Sequence, residues 1–156
     1  MTRQYSKLLF LLVVASLLFP GCSSPLIEYK PKLVTDTSAV TITCNASQGN
    51  RGLLNYDGPV FVHLGLITDS SNHSNEWRYV KFKWGSTEDA ARATPEGKNS
   101  WSYNIPNIRK FFQVDENEKI LELVVLFRQG NCIDTACKTL RNADKTDMRI
   151  PVSQQY

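Results

Sequence analysis

The sequence predicts an all-β chain folded as an immunoglobulin-like β-sandwich with one short helix, and three observations carry that expectation. Once an N-terminal leader is set aside, the 156-residue chain keeps about 135 residues, enough for one domain with a real core. Apolar residues recur with period two in about six short segments, the spacing of half-buried strands. Long polar loops separate those segments, as in a seven-strand sandwich.

Taken in order, Val40, Ile42 and Cys44 alternate with threonines. A glycine- and asparagine-containing loop, 45–58, leads to an apolar run from Pro59 to Ile67. Over 77–84, Arg78, Val80, Phe82 and Trp84 alternate with Trp77, Tyr79, Lys81 and Lys83. This spacing predicts a strand with Trp84 on the core face and with Trp77 and Tyr79 exposed. Trp101, Tyr103 and Ile105 form a shorter strand, Trp101 facing core or solvent. Glu118 to Arg128 is the most apolar stretch and the candidate central strand, and Met148, Ile150 and Val152 share one face at the end. Pro106 to Val114 is the helical segment, with Pro106 in its first turn and Ile108, Phe111 and Phe112 at helical spacing. Residues 22–37 read as a lipidated tether ahead of a domain spanning 38–156, since Pro25 and Pro31 oppose a helix.

The leader, 1–21, has the form of a lipoprotein signal peptide. Arg3 and Lys7 precede an apolar run, Leu8 to Phe19, too short to span a bilayer core of about 30 Å. Phe19-Pro20-Gly21-Cys22 resembles a lipobox, with Phe19-Pro20 in place of the usual Leu-Ala/Ser, and makes Cys22 the expected lipidation site. Plain secretion and an uncleaved anchor are the alternatives. Removing the leader takes Arg3 and Lys7 but no acid, so the formal charge falls from +3 to +1. A nearly neutral chain lacks the basic footprint of a nucleic-acid binder. The expected location is the cell envelope, anchored in the outer membrane through Cys22 on its periplasmic or surface face.

Cys132 and Cys137 flank four residues in a polar stretch and are expected to close a small disulfide loop, as an oxidising compartment allows. Cys44 falls on an apolar face and reads as a buried free thiol, with pairing to one of the other two as the second possibility. His63 and His73 lack ligand spacing with the cysteines, so no metal or other cofactor is expected. No GxSxG elbow or phosphate loop occurs, and the loop acids (Asp57, Asp69, Glu76, Glu88) read as solvated surface charge, so an enzyme is not expected.

Binding is the better expectation. Trp77, Tyr79, Trp84, Trp101 and Tyr103 crowd a few segments, with His63 on another, and aromatic rings on a sheet face can stack on the apolar face of a sugar. Gly58-Pro59-Val60-Phe61-Val62-His63-Leu64-Gly65-Leu66-Ile67-Thr68, followed by Asn75-Glu76-Trp77-Arg78-Tyr79-Val80, resembles a G-x-V-Y-x-H-x-G-x-I-T … W-x-Y-V pattern. That pattern belongs to the immunoglobulin-like accessory domain of Bacteroidetes α-amylases and starch-utilisation lipoproteins. Further matches follow in order: Trp84-Gly85, Ile105 to Val114, Glu118 to Leu123, Val125 to Arg128 and Arg141 to Asp144. The chain is more distantly similar to family-26 starch-binding modules, in which the positions matching His63 and Trp77 bear the sugar-stacking groups. Phe61 stands where the pattern has Tyr, Lys145 where it has Gly, and the Cys132–Cys137 loop is an insertion.

The resemblance implies a non-catalytic, lipid-anchored carbohydrate-binding protein for an α-glucan or starch-like glycan, with His63, Trp77, Tyr79 and Trp84 as binding residues. It would work beside envelope glycan-utilisation proteins. The alternative is a structural or protein–protein interaction lipoprotein of an outer-membrane complex. The first reading expects the aromatics together on an open face, the second expects them buried.

Overall fold

The computed structural model describes residues 24–132 and 136–154. The expected signal peptide, the expected lipidation site Cys22 and the centre of the Cys132–Cys137 loop lie outside the described residues. In chain order the described elements are β1 (Ile27–Lys30), β2 (Val40–Asn45), β3 (Val60–Thr68), β4 (Thr94–Gly97), β5 (Ser100–Ile105), helix α1 (Ile108–Phe112), β6 (Ile120–Gln129), β7 (Thr139–Leu140) and β8 (Met148–Pro151). A single 3-10 turn, Asp89–Ala91, precedes β4.

One sheet has the order β1-β2-β5-β4; in the other, β3 pairs β6, which also pairs β7 and β8. Every strand pairing is antiparallel. This is the ABED and CFG arrangement of an immunoglobulin-like sandwich, with its last strand split in two. Alternation explains the core. Val40, Ile42 and Cys44 pair with Ile105, Tyr103 and Trp101 on the inner side of one sheet. Leu64, Leu66, Leu123, Val125 and Phe127 face them from the other, and all of these residues belong to one buried cluster. Trp101 is therefore a core residue, 5% exposed. Burial pushes the free Cys44 thiol up to about 12, so it stays protonated and packs as a small apolar group. The Cys132–Cys137 disulfide is formed.

Three expectations need correction. Residues 26–37 are not a free tether. Ile27–Lys30 pairs with β2 in register Ile27↔Cys44 to Lys30↔Thr41, and Val34 is 1% exposed within the core. Thr35 forms an isolated bridge with Ser153, just past the end of β8, and Asp36 holds Arg109 at 2.8 Å. The extended conformation set by the prolines is used as an edge of the sandwich, where its donors and acceptors find partners. The helix begins later than expected: Asn107 is the N-cap, its Oδ1 accepting from Lys110 N at 2.9 Å, so Pro106 precedes the cap. Lastly, 77–84 is not a continuous strand. Arg78 exchanges two backbone hydrogen bonds with Leu66 (2.7 and 2.8 Å), and Lys81 N donates to Leu64 O at 3.0 Å. Between them Tyr79 lies in the left-handed region, φ 51°, which breaks the period-two alternation.

Candidate functional site

Val60–Thr68 reads as an almost unbroken apolar run, the signature of a strand covered on both faces. Its cross-strand pairs show what its outer face carries: Phe61↔Arg128, His63↔Leu126, Gly65↔Val124 and Ile67↔Glu122. Gly65 is what lets an indole lie on this face. A Cβ there would come within 3.1 Å of Trp77 Cε3 and of Arg78 O. Trp77 closes over the gap, its ring stacked on His63 at 5.5 Å between centroids and 25° between planes.

Trp84 arrives from the opposite side. It occupies the turn closed by Ser86 N donating to Lys83 O (3.0 Å), with Gly85 at φ 79°. A Cβ on Gly85 would sit 2.7 Å from Cys132 O, so only glycine lets this turn rest against the disulfide-bonded loop. The Trp84 ring meets His63 edge-on at 5.0 Å and 90°. Behind it, the Arg128 guanidinium is wholly buried, 5.7 Å from the Trp84 ring centre and 5.6 Å from that of Phe61. It donates to the Gln129 carbonyl at 3.0 Å and to the Ser86 carbonyl, and no carboxylate among the described residues pairs with it. Cation–π contact and charged hydrogen bonds replace the missing counter-ion.

Together His63, Trp77, Trp84, Leu126, Arg141 and Asp147 line a shallow depression of about 360 Å³. Arg141 Nη1 lies 2.8 Å from Asp147 Oδ1, an ion pair at its rim; the approach is off line for a hydrogen bond. Burial, then the Arg128 and Arg141 cations, hold the His63 imidazole down at about 4, against a weaker backbone contact from Phe82. His63 is neutral at pH 7, and its buried Nδ1 has no aligned hydrogen-bond partner. The result is a shelf of aromatic rings beside a charged, hydrogen-bonding rim. Such a surface can hold a ring that has an apolar face and a polar edge.

Three of the four expected binding residues, His63, Trp77 and Trp84, thus converge. Trp84 does so against the strand pattern: it is 40% exposed and Val80 44%, leaving Phe82 as the core residue of that set. Tyr79 is elsewhere. Its left-handed backbone turns it away from Trp77, and its hydroxyl donates to Glu118 Oε2 at 2.5 Å. Desolvation pushes the Glu118 carboxyl up. Hydrogen bonds from Thr68 and Tyr79 and the Arg78 cation at 3.2 Å outweigh it and leave the carboxyl lowered. Tyr79 is a structural anchor, half-buried against the core. Leu126, Arg141 and Asp147 line the shelf without being expected there, although Leu126 and Arg141 lie in stretches that match the accessory-domain pattern. Arg128 carries one signal, a cation inside the most apolar strand, whereas Arg141 and Asp147 flank an ordinary polar turn whose residue types point to no binding role.

No group of three or more His, Cys, Asp or Glu among the described residues is placed to hold a metal ion, and no helix among them is long and apolar enough to cross a membrane. No protein-family model matches the chain, and a search of curated proteins finds no significant relative.

Proposed function

We propose that this protein is a non-catalytic carbohydrate-binding accessory protein of a bacterial envelope, held to the membrane through a lipid on Cys22. The observation that carries the reading is the convergence of Trp77 and Trp84 on His63. His63 comes from β3 and the two tryptophans from opposite ends of the segment 77–84, and they gather on a half-exposed sheet face beside the Arg141–Asp147 pair. Packing alone does not call for a tryptophan left 40% exposed beside a neutral imidazole whose buried Nδ1 has no aligned hydrogen-bond partner. Sugar rings reward such a shelf by stacking their C–H faces on the indoles while hydroxyls meet the rim. An α-glucan or other starch-like glycan is the class implied by the sequence resemblance. The leader and lipobox support the anchor, which would keep the bound glycan near uptake or hydrolysis machinery.

Affinity electrophoresis through gels containing a panel of glycans tests the reading. Retardation by at least one glucan is expected. Trp77→Ala should weaken it at least tenfold, about 1.4 kcal/mol, whereas Tyr79→Phe, off the shelf, should leave it intact. Migration unaffected by every glycan, for the native protein and Trp77→Ala alike, would falsify the proposal and favour the protein-interaction alternative. Mass spectrometry of the mature N-terminus tests the anchor, and an unmodified Cys22 would remove it.

A further inference from the structure

Beside the aromatic shelf lies a second depression of about 590 Å³, and Asp147 borders both. Ser74 and Asn75 form one wall of it, and Asn142 and Thr146 another. Arg149 builds the first wall. Its guanidinium pairs with the Glu122 carboxylate and donates to Ser74 O at 2.7 Å and Asn75 Oδ1 at 3.1 Å. That same loop, two residues later, delivers Trp77 to the shelf. Asn142 fixes the other wall, its Nδ2 donating to Thr146 Oγ1 and Asp147 O, both at 3.0 Å.

The two depressions differ in chemistry. The shelf is aromatic and suits one stacked ring. The groove has the amides of Asn75 and Asn142, the hydroxyls of Ser74 and Thr146, the apolar Ile27 and Met148, and carboxylates each paired with an arginine (Glu122 with Arg149, Asp147 with Arg141). This mixed and internally neutral lining suits the uncharged hydroxyls and C–H faces of a sugar. Each falls within the range of small-ligand sites, about 300–1,000 Å³. A single sugar on the shelf would leave the groove unused, whereas a chain continuing past Asp147 would enter it directly.

We propose that the site takes an extended, uncharged oligosaccharide, with one ring on the Trp77–His63–Trp84 shelf and the following units in the groove between Asn75 and Asn142. This rests on the glycan-binding reading of the shelf and adds chain length as the property it selects. Isothermal titration calorimetry on the full-length protein, using linear α-1,4-glucose oligomers from two to six units, tests it. The hexasaccharide should bind about tenfold or more tightly than the disaccharide. Ser74→Tyr, which fills the groove, should bring that ratio close to one, and Asn75→Ala should lower it about threefold. Thermal melting checks that both variants are folded. Equal affinity at every length, or a Ser74→Tyr variant that binds both lengths equally more weakly, overturns the length selection while the shelf reading survives. Absence of binding at any length, with Trp77→Ala indistinguishable from the native protein, overturns both.

Discussion

The outer side of β2 and β5 carries Thr41 opposite Asn104, Thr43 opposite Ser102 and Asn45 opposite Ser100. These small polar groups satisfy one another or their neighbours: Thr41 with Asn104 at 3.2 Å, Ser102 with Glu96 at 2.5 Å, Ser100 with the Cys44 carbonyl at 3.0 Å. The outer side of β3 and β6 instead carries Phe61, His63, Leu126 and a buried Arg128 under two tryptophans. Water reaches most of the first face, where only Ser102 is buried, and the chain's own loops cover most of the second. The contrast teaches where function can sit. A solvated strand face needs nothing further to be stable. A face built apolar on both sides is covered here by rings from the segment that follows β3, and the rings left half-exposed form the shelf on which the proposed binding rests.

The sharpest way to break this contrast is to truncate one residue on each face. Arg128→Ala would leave the Ser86 and Gln129 carbonyls unpaired and a cavity beneath Trp84, a loss of about 3–4 kcal/mol. Thr43→Ala on the other sheet should stay within about 0.5 kcal/mol. Urea unfolding of the two variants measures the difference, and equal losses would erase the distinction. A smaller effect comes from the loop that braces the shelf. Replacing Cys132 and Cys137 by serine opens a link of sequence separation 5 and should cost about 2 kcal/mol. Because Gly85 rests on the Cys132 carbonyl, tryptophan fluorescence should shift with it; an unchanged spectrum would mean that the loop does not position Trp84.

The smallest effect is that of pH. Unfolded, the His63 ring titrates near its ordinary 6.5; folded, near 4. Between these values the unfolded chain takes up a proton that the folded chain refuses. Stability is therefore full above about 6.5 and declines as pH falls toward 4, then levels off. Solvent reaches the half-buried ring and screens the penalty, so the decline is about 1 kcal/mol. His63→Gln should flatten the part of the stability profile between pH 4 and 6.5 that this ring causes; an unaltered profile would show that the shelf does not disfavour the charged imidazole.

Much of the fold was legible because it rests on local periodicity. Alternation located β2, β5 and β8, and the apolar runs located β3 and β6 with ends close to those observed. The short edge β1 was missed because Ile27 to Lys30 is only half apolar and its value lies in pairing with β2. β4, with Pro95 and four exposed residues, offers no pattern at all. In the site, the aromatic identity of Trp77, Trp84 and His63 was visible, but their direction was not. At one left-handed residue, Tyr79, the alternation breaks, so Val80 and Trp84 face outward while Phe82 keeps its core place.

The sequence by itself determined the strand-rich architecture, the apolar-face position of Cys44 and the clustering of aromatic residues in a few segments, because each depends on side-chain type and short-range spacing. The Cys132–Cys137 pairing is the first of the two possibilities it left. Only the tertiary structure decided that residues 26–37 belong to the sandwich, that Tyr79 leaves the shelf, that Trp84 is exposed rather than core, and that Arg141 and Asp147 line the shelf. Those outcomes turn on backbone dihedrals at single residues and on contacts between segments far apart in the chain. No local pattern records either.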